Sequence, residues 1–200
     1  PWGYVLANAA SGCQAIATVK YEDKPTYHAI IIARPELSIA QFPADSRGRS
    51  ISFADVGSTS GWLVPHYYAK EVWKIDPRSF WKYSEGASHP ANEIAVQAGQ
   101  VDLATDFDRN RNAMIDAGRI RPDATRVVWQ SDPLPNDALA VSRDLPAAQT
   151  LALQRAVVAM TAAQAAEAMP RRYTGWVAAT HQSYALIENA GRVLGRLKRG

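Results

Sequence analysis

The sequence predicts an α/β protein with a mainly parallel sheet, divided into two lobes that the chain crosses between twice. Three observations carry this. Short apolar or β-branched runs alternate with segments of helical periodicity along the 200 residues. One run, Tyr27-His28-Ala29-Ile30-Ile31-Ile32-Ala33, is apolar almost throughout, as a strand buried on both faces should be, and it leads into the Pro-containing turn Ala33-Arg34-Pro35. Much later the Pro-rich connection Ser131-Asp132-Pro133-Leu134-Pro135-Asn136-Asp137 feeds a second short strand. Residues 29–132 then form one lobe, and residues 1–28 with 133–200 form the other. Two crossings make a hinge, and clefts between lobes are common ligand sites.

In chain order, strands are expected at 15–21, 27–34 and 50–54, then at 101–105, 126–130 and 138–142. Helices are expected at 61–74, 90–99 and 110–117, then at 147–160, 162–169 and 182–197. Pro65 removes a hydrogen bond one turn into the first of these, so that helix is expected to open with a kink or a break. Pro90 suits the first turn of the second. Pro146 stands just before the fourth, where Leu151, Leu153, Val157 and Met160 follow near helical spacing. No internal repeat interrupts the pattern.

Composition narrows the function. No stretch reaches the roughly 20 apolar residues of a membrane helix. The chain opens on Pro1-Trp2-Gly3-Tyr4 without a basic and apolar leader, as a mature or truncated secreted chain would. Cys13 is a lone cysteine, which excludes an intrachain disulfide and a thiolate metal cage. Net charge is +3, and only Arg192 to Arg199 concentrates cations, which suits a helix C-terminus better than a nucleic-acid surface. His28, His66, His89 and His181 show no metal-ligand spacing. Neither a cofactor nor nucleic acid is expected.

Three segments carry polar chemistry. The strand ending in Ala54-Asp55 runs into Val56-Gly57-Ser58-Thr59-Ser60-Gly61 and then into a helix. That order aims free backbone N–H groups and hydroxyls at an anion, or equally caps a helix. A phosphate-binding P-loop is excluded, because Gly57 and Gly61 are too close and Trp62 stands where its lysine would be. A hydrolase elbow is excluded, because Thr59 occupies the nucleophile position. The second segment, Ser88-His89-Pro90-Ala91-Asn92-Glu93, puts His89 at another helix start, as a structural residue or as a donor to an anion. The third, Asp102 to Arg111, is a strand end whose carboxylates suit general acid/base work, though no nucleophile or metal set accompanies them, and capping of the next helix explains Asp106 or Asp108 equally well.

Together the runs KPTYHAIIIARPELSI, SFADVGSTSGWLVPHYYAK, SHPANEIAVQAGQVDLAT and PLPNDALAVSRDLP resemble the periplasmic phosphonate-, phosphite- and hypophosphite-binding proteins of ABC transporters. The resemblance implies a type II periplasmic-binding fold and a monomeric, non-enzymatic protein that hands a small phosphorus oxyanion to a membrane permease. It further implies that Ser58, Thr59 and Ser60 hold the oxyanion, that His89 and Tyr27 donate to it, and that Asp137 accepts a P–OH proton. Arg109 stands where members that take aminoalkylphosphonates have an acidic residue, so phosphite, hypophosphite or methylphosphonate is the expected ligand. Full-length members carry an opening β-α-β portion with a further ligand-contacting tyrosine, and the lobe built from residues 1–28 and 133–200 is expected to lack it. A ligand-sensing regulatory domain of the same fold is the alternative. A hydrolytic set of Ser60, His89 and Asp137 is disfavoured by its spacing.

Overall fold

The structure, a computed structural model, describes residues 1–198. The chain begins with helix α1, Trp2–Ser11, which Gly12 ends in the left-handed conformation (φ 72°) with its N–H on the Asn8 carbonyl. Strand β1, Gln14–Tyr21, follows, then the short β2, Thr26–Tyr27, and β3, Ala29–Ala33. Strand β4, Ser50–Ala54, leads through a π-helical turn, Thr59–Leu63, into α2, Val64–Glu71. Next come α3, Pro77–Phe80, β5, Lys82–Ala87, and α4, His89–Gln97. Strand β6, Leu103–Phe107, runs directly into α5, Asp108–Asp116, and β7, Arg126–Gln130, completes that half. The rest comprises β8, Leu134–Pro135, and β9, Ala138–Val141, then α6, Ala147–Val158, and α7, Ala162–Ala168. Strand β10, Tyr173–Ala178, and α8, Ala185–Val193, close it.

These elements sort into two compact units. Pro1–Tyr27 and the chain from Pro133 onward make the first, and His28–Asp132 make the second. In the first unit β1 is the middle of an antiparallel sheet ordered β10-β1-β9. Tyr184 is buried against it, with its hydroxyl 2.7 Å from Thr18 Oγ1 and donating to the Asn136 carbonyl at 2.8 Å. The Asn136 amide donates in turn to the carbonyls of Val19 and Lys24 at 2.8 and 2.9 Å.

The second unit is built on a five-stranded sheet ordered β5-β4-β6-β3-β7. The sheet is mixed rather than mainly parallel. Strand β4 runs parallel to β5 and β6, while β3 runs antiparallel to both β6 and β7. Every residue of β3 is buried, as its unbroken apolar run requires. Ile30 and Ile32 pack with Val96 of α4 and Ala104, and Ile31 alternates to the other face.

The parallel trio is what positions the candidate site. Three parallel strands end on the same side of the sheet, so the turns after β4 and β5 and the end of β6 are forced together. Asn92, fully buried on α4, fixes that arrangement. Its Oδ1 accepts from Ser52 Oγ at 2.7 Å, and its Nδ2 donates to the carbonyls of Ser52 on β4 and Thr105 on β6 at 3.2 and 3.0 Å. Removing that side chain takes one buried donor from each of the two carbonyl oxygens and the acceptor from the Ser52 hydroxyl. Asn92→Ala should therefore lower the unfolding free energy by about 2–5 kcal/mol, measurable by urea denaturation.

Candidate functional site

The turn after β4 is shaped by its own polar residues. Asp55 Oδ1 takes the Gly57 N–H at 2.8 Å, and the Ser58 N–H donates to the Asp55 carbonyl at 2.9 Å. Ser58 is extended (φ −80°, ψ 126°) and its Oγ accepts the Gly61 N–H at 3.0 Å. The backbone then takes a wide turn, in which the Leu63 N–H reaches the Ser58 carbonyl and the Val64 N–H reaches that of Thr59. This turn places Pro65 in the first turn of α2, where a missing N–H is tolerated, so the expected break is a π-helical entrance. Thr59 and Ser60 are nearly buried within it.

His89 opens α4. Ser88 caps the helix by accepting the Ala91 N–H at 3.2 Å, and Pro90 occupies the first turn. The imidazole Nε2 is 3.1 Å from Ser58 Oγ, and the ring stands edge-on to Phe107 at a centroid distance of 4.9 Å. Burial holds the His89 pKa below the ordinary imidazole value, so the ring is neutral at pH 7. Ser58, Thr59, Ser60 and His89 are thus one cluster in the second unit. None of these four side chains is a cation, and the cluster sits at two helix starts.

Gly61 is what allows the ring so close. A Cβ at this position would lie 2.4 Å from Ala54 Cβ, 2.7 Å from His89 Cε1 and 3.0 Å from Ser58 Oγ. The Gly61 carbonyl accepts from Thr105 Oγ1 at 2.8 Å, which ties the turn to β6.

Tyr27 and Asp137 belong to the first unit. Tyr27 ends β2, buried and paired with Leu134. Asp137 lies between β8 and β9 with its side chain exposed, and its Oδ1 is 3.0 Å from the Pro1 nitrogen. The third polar segment departs from the capping expectation. Helix α5 starts at Asp108 without a side-chain cap. The Asp108 carboxylate instead accepts the Arg109 N–H at 2.8 Å and pairs with His28 Nδ1 at 3.1 Å. Arg109 holds its guanidinium over the Phe107 ring, 5.8 Å from the centroid.

Asp106, which the sequence offers as an acid/base group or a helix cap, is fully buried behind His89, with its Oδ1 3.5 Å from Nδ1. Burial, then the adjacent Glu93, push its pKa up to about 9. Glu93 is equally buried, and burial raises it as well. The sequence signal was a carboxylate placed inside a strand, Thr105-Asp106-Phe107, where β-propensity disfavours Asp.

The sequence model of one family, described as "ABC transporter, phosphonate, periplasmic substrate-binding protein", matches residues 1–184. The chain belongs to that family. Its members are, by that description, binding proteins and not enzymes. Among curated relatives, the phosphonates-binding periplasmic protein of Escherichia coli (strain K12) is 28% identical over 139 residues, which are 68% of this chain and 41% of that protein. The phosphate-import protein PhnD of Mycolicibacterium smegmatis is 29% identical over 152 residues, 71% of this chain and 47% of that one. The chain therefore spans less than half the length of these two relatives. The fold matches that of PhnD1 from Prochlorococcus marinus (MIT 9301), solved in complex with methylphosphonate, with a TM-score of 0.76 at 15% identity over 98% of this chain and 76% of that one. This is the fold of type II periplasmic-binding proteins.

Because the space that a methyl group would fill at Gly61 is taken by Ala54, His89 and Ser58, Gly61→Ala should destabilise the protein by about 1–3 kcal/mol. Thermal unfolding would read that loss, and a change in the His89 ring resonances would show the imidazole displaced from Ser58.

Proposed function

We propose that this chain is the ligand-holding part of the substrate-binding component of an ABC importer, and that it captures a small phosphorus oxyanion at the turn 58–60. The observation that carries this is the pairing of two helix starts at one point, with His89 Nε2 3.1 Å from Ser58 Oγ. Helix N-termini bring unpaired N–H groups and positive dipole ends together, and hydroxyls add directional donors. A tetrahedral oxyanion offers several acceptor oxygens to such a set, and the set needs no cation to hold it. Membership of a phosphonate-binding family supports the same class of ligand.

In this reading Ser58, Thr59 and Ser60 hold the oxyanion through hydroxyls and backbone amides, and His89 orients the first of them. Tyr27 and Asp137 are proposed as further ligand contacts on the strength of the resemblance, Asp137 favouring a ligand that carries a P–OH proton. Arg109 beside Phe107 disfavours a ligand with an ammonium group, leaving phosphite, hypophosphite or methylphosphonate. The relative solved with methylphosphonate supports the last of these. The protein would work as a monomer in the periplasm and deliver its ligand to a membrane permease.

Calorimetry on the complete gene product against phosphite, hypophosphite and methylphosphonate, with phosphate and an aminoalkylphosphonate alongside, tests the proposal. At least one of the first three should bind most tightly. Silence towards all of them, with binding of an amino acid or a sugar, would overturn it. Ser60→Ala and His89→Ala should each weaken binding by about 1–3 kcal/mol, and unchanged affinity in both would remove the turn from the site.

A further inference from the structure

Ser58 Oγ has two lone pairs and one hydrogen to place. One lone pair accepts the Gly61 N–H at 3.0 Å. The second partner is His89 Nε2 at 3.1 Å, and its protonation decides the rest. A hydrogen on Nε2 fills the second lone pair, which leaves the hydroxyl hydrogen to donate outward. A bare Nε2 takes that hydrogen, and the hydroxyl then presents a lone pair that repels an anion. One proton on the far side of an imidazole therefore converts a donor into an acceptor.

The proton is governed from Nδ1. That atom is buried and has no hydrogen-bond partner, and the 3.5 Å to Asp106 Oδ1 exceeds the roughly 2.7–2.9 Å of a charge-assisted bond. Glu93 is as fully buried as Asp106 and neither of its oxygens has a hydrogen-bond partner, so burial and this second carboxyl together keep a proton on Asp106. Asn110 Nδ2 donates to both Asp106 oxygens at 3.0 and 3.1 Å. The other charged groups nearby are engaged elsewhere. Arg111 and Thr125 bear on Glu93, Arg109 lies over Phe107, and His28 pairs with Asp108.

We propose that Asp106, held protonated against Glu93, is a positioning residue that keeps the His89 hydrogen on Nε2 and so turns the Ser58 hydroxyl hydrogen toward the bound anion. This rests on the reading of the turn 58–60 as the anion site. Loss of the Asp106 proton leaves a carboxylate that draws the imidazole hydrogen to Nδ1, and Ser58 swings back onto Nε2. The site is switched on below the Asp106 pKa of about 9 and off above it. The sign is that of a raised acid: the protonated form is the one the folded protein favours, and its contribution is lost as pH rises through the folded value.

Two measurements test this. Nitrogen-15 NMR of the ligand-free protein should show His89 protonated on Nε2 and bare on Nδ1 at pH 7, with the hydrogen moving to Nδ1 above pH about 9. Protonation on Nδ1 at pH 7, a doubly protonated ring, or a tautomer unchanged up to pH 10 would overturn the proposal, whatever the protein binds. Methylphosphonate titrations of wild type and Asp106→Asn compare the two proteins at each pH, so the ligand's own ionisation cancels. The ratio of wild-type to variant affinity should be flat from pH 6 to 8 and fall about tenfold per unit above pH about 9. A flat ratio to pH 10 would overturn the proposal. Absence of methylphosphonate binding by both proteins at every pH would instead count against the anion-site reading, while the NMR result still decides the tautomer.

Discussion

The Asn92 side chain sits where β4 and β6 deliver their turns, and its hydrogen bonds to Ser52 and Thr105 hold both strands to the start of α4. Each later contact in the cluster depends on that triangle. Asn92 is three residues after His89 on the same helix, so fixing its amide also fixes the height at which the imidazole leaves the first turn. Thr105, whose carbonyl Asn92 secures, uses its hydroxyl to hold the Gly61 carbonyl. Asp106, the next residue, is thereby aimed at His89 from the opposite side of the strand. A buried amide with this many partners is costly to leave half satisfied, so the geometry around it is specified narrowly.

The cluster was legible in the sequence where its cause was local. Ser58 and His89 each sit at a strand-to-helix junction marked by Gly, Ser or Pro, and those junctions are written in short patterns. Their meeting was not, because nothing local states that β4, β5 and β6 run parallel while β3 runs the other way. An all-apolar run such as Ile30-Ile31-Ile32 reports burial on two faces and is silent about direction. The strand β5 escaped notice because Lys-Tyr-Ser-Glu-Gly-Ala is a polar, largely exposed edge without alternation. Helix α1 has no acidic first turn and no side-chain cap, and only Gly12 marks its end. Asp106 was misread because a carboxylate near a turn usually caps a helix, and its burial depends on Glu93, thirteen residues earlier in the sequence.

In the proposed anion site the turn itself brings no cation. The segment 55–61 contains no Lys or Arg, and burial keeps His89 neutral. Attraction then comes from dipoles and hydroxyl hydrogens at short range, which mobile salt screens less than it screens exposed charges. Such a site discriminates by where its hydrogens point. It is correspondingly sensitive to any group that redirects one.

Gly61 imposes a limit that reaches beyond this chain. The turn and the imidazole compete for the volume a β-carbon would fill, so positions 61 and 89 form a steric couple. A homologue that replaces the glycine has to give up the ring's present place, and one that replaces the histidine with a smaller residue still meets Ala54 Cβ at 2.4 Å, so two neighbours independently demand the glycine. The glycine can therefore serve as a marker for sorting related sequences by how this turn is built, without reference to the ligands they carry.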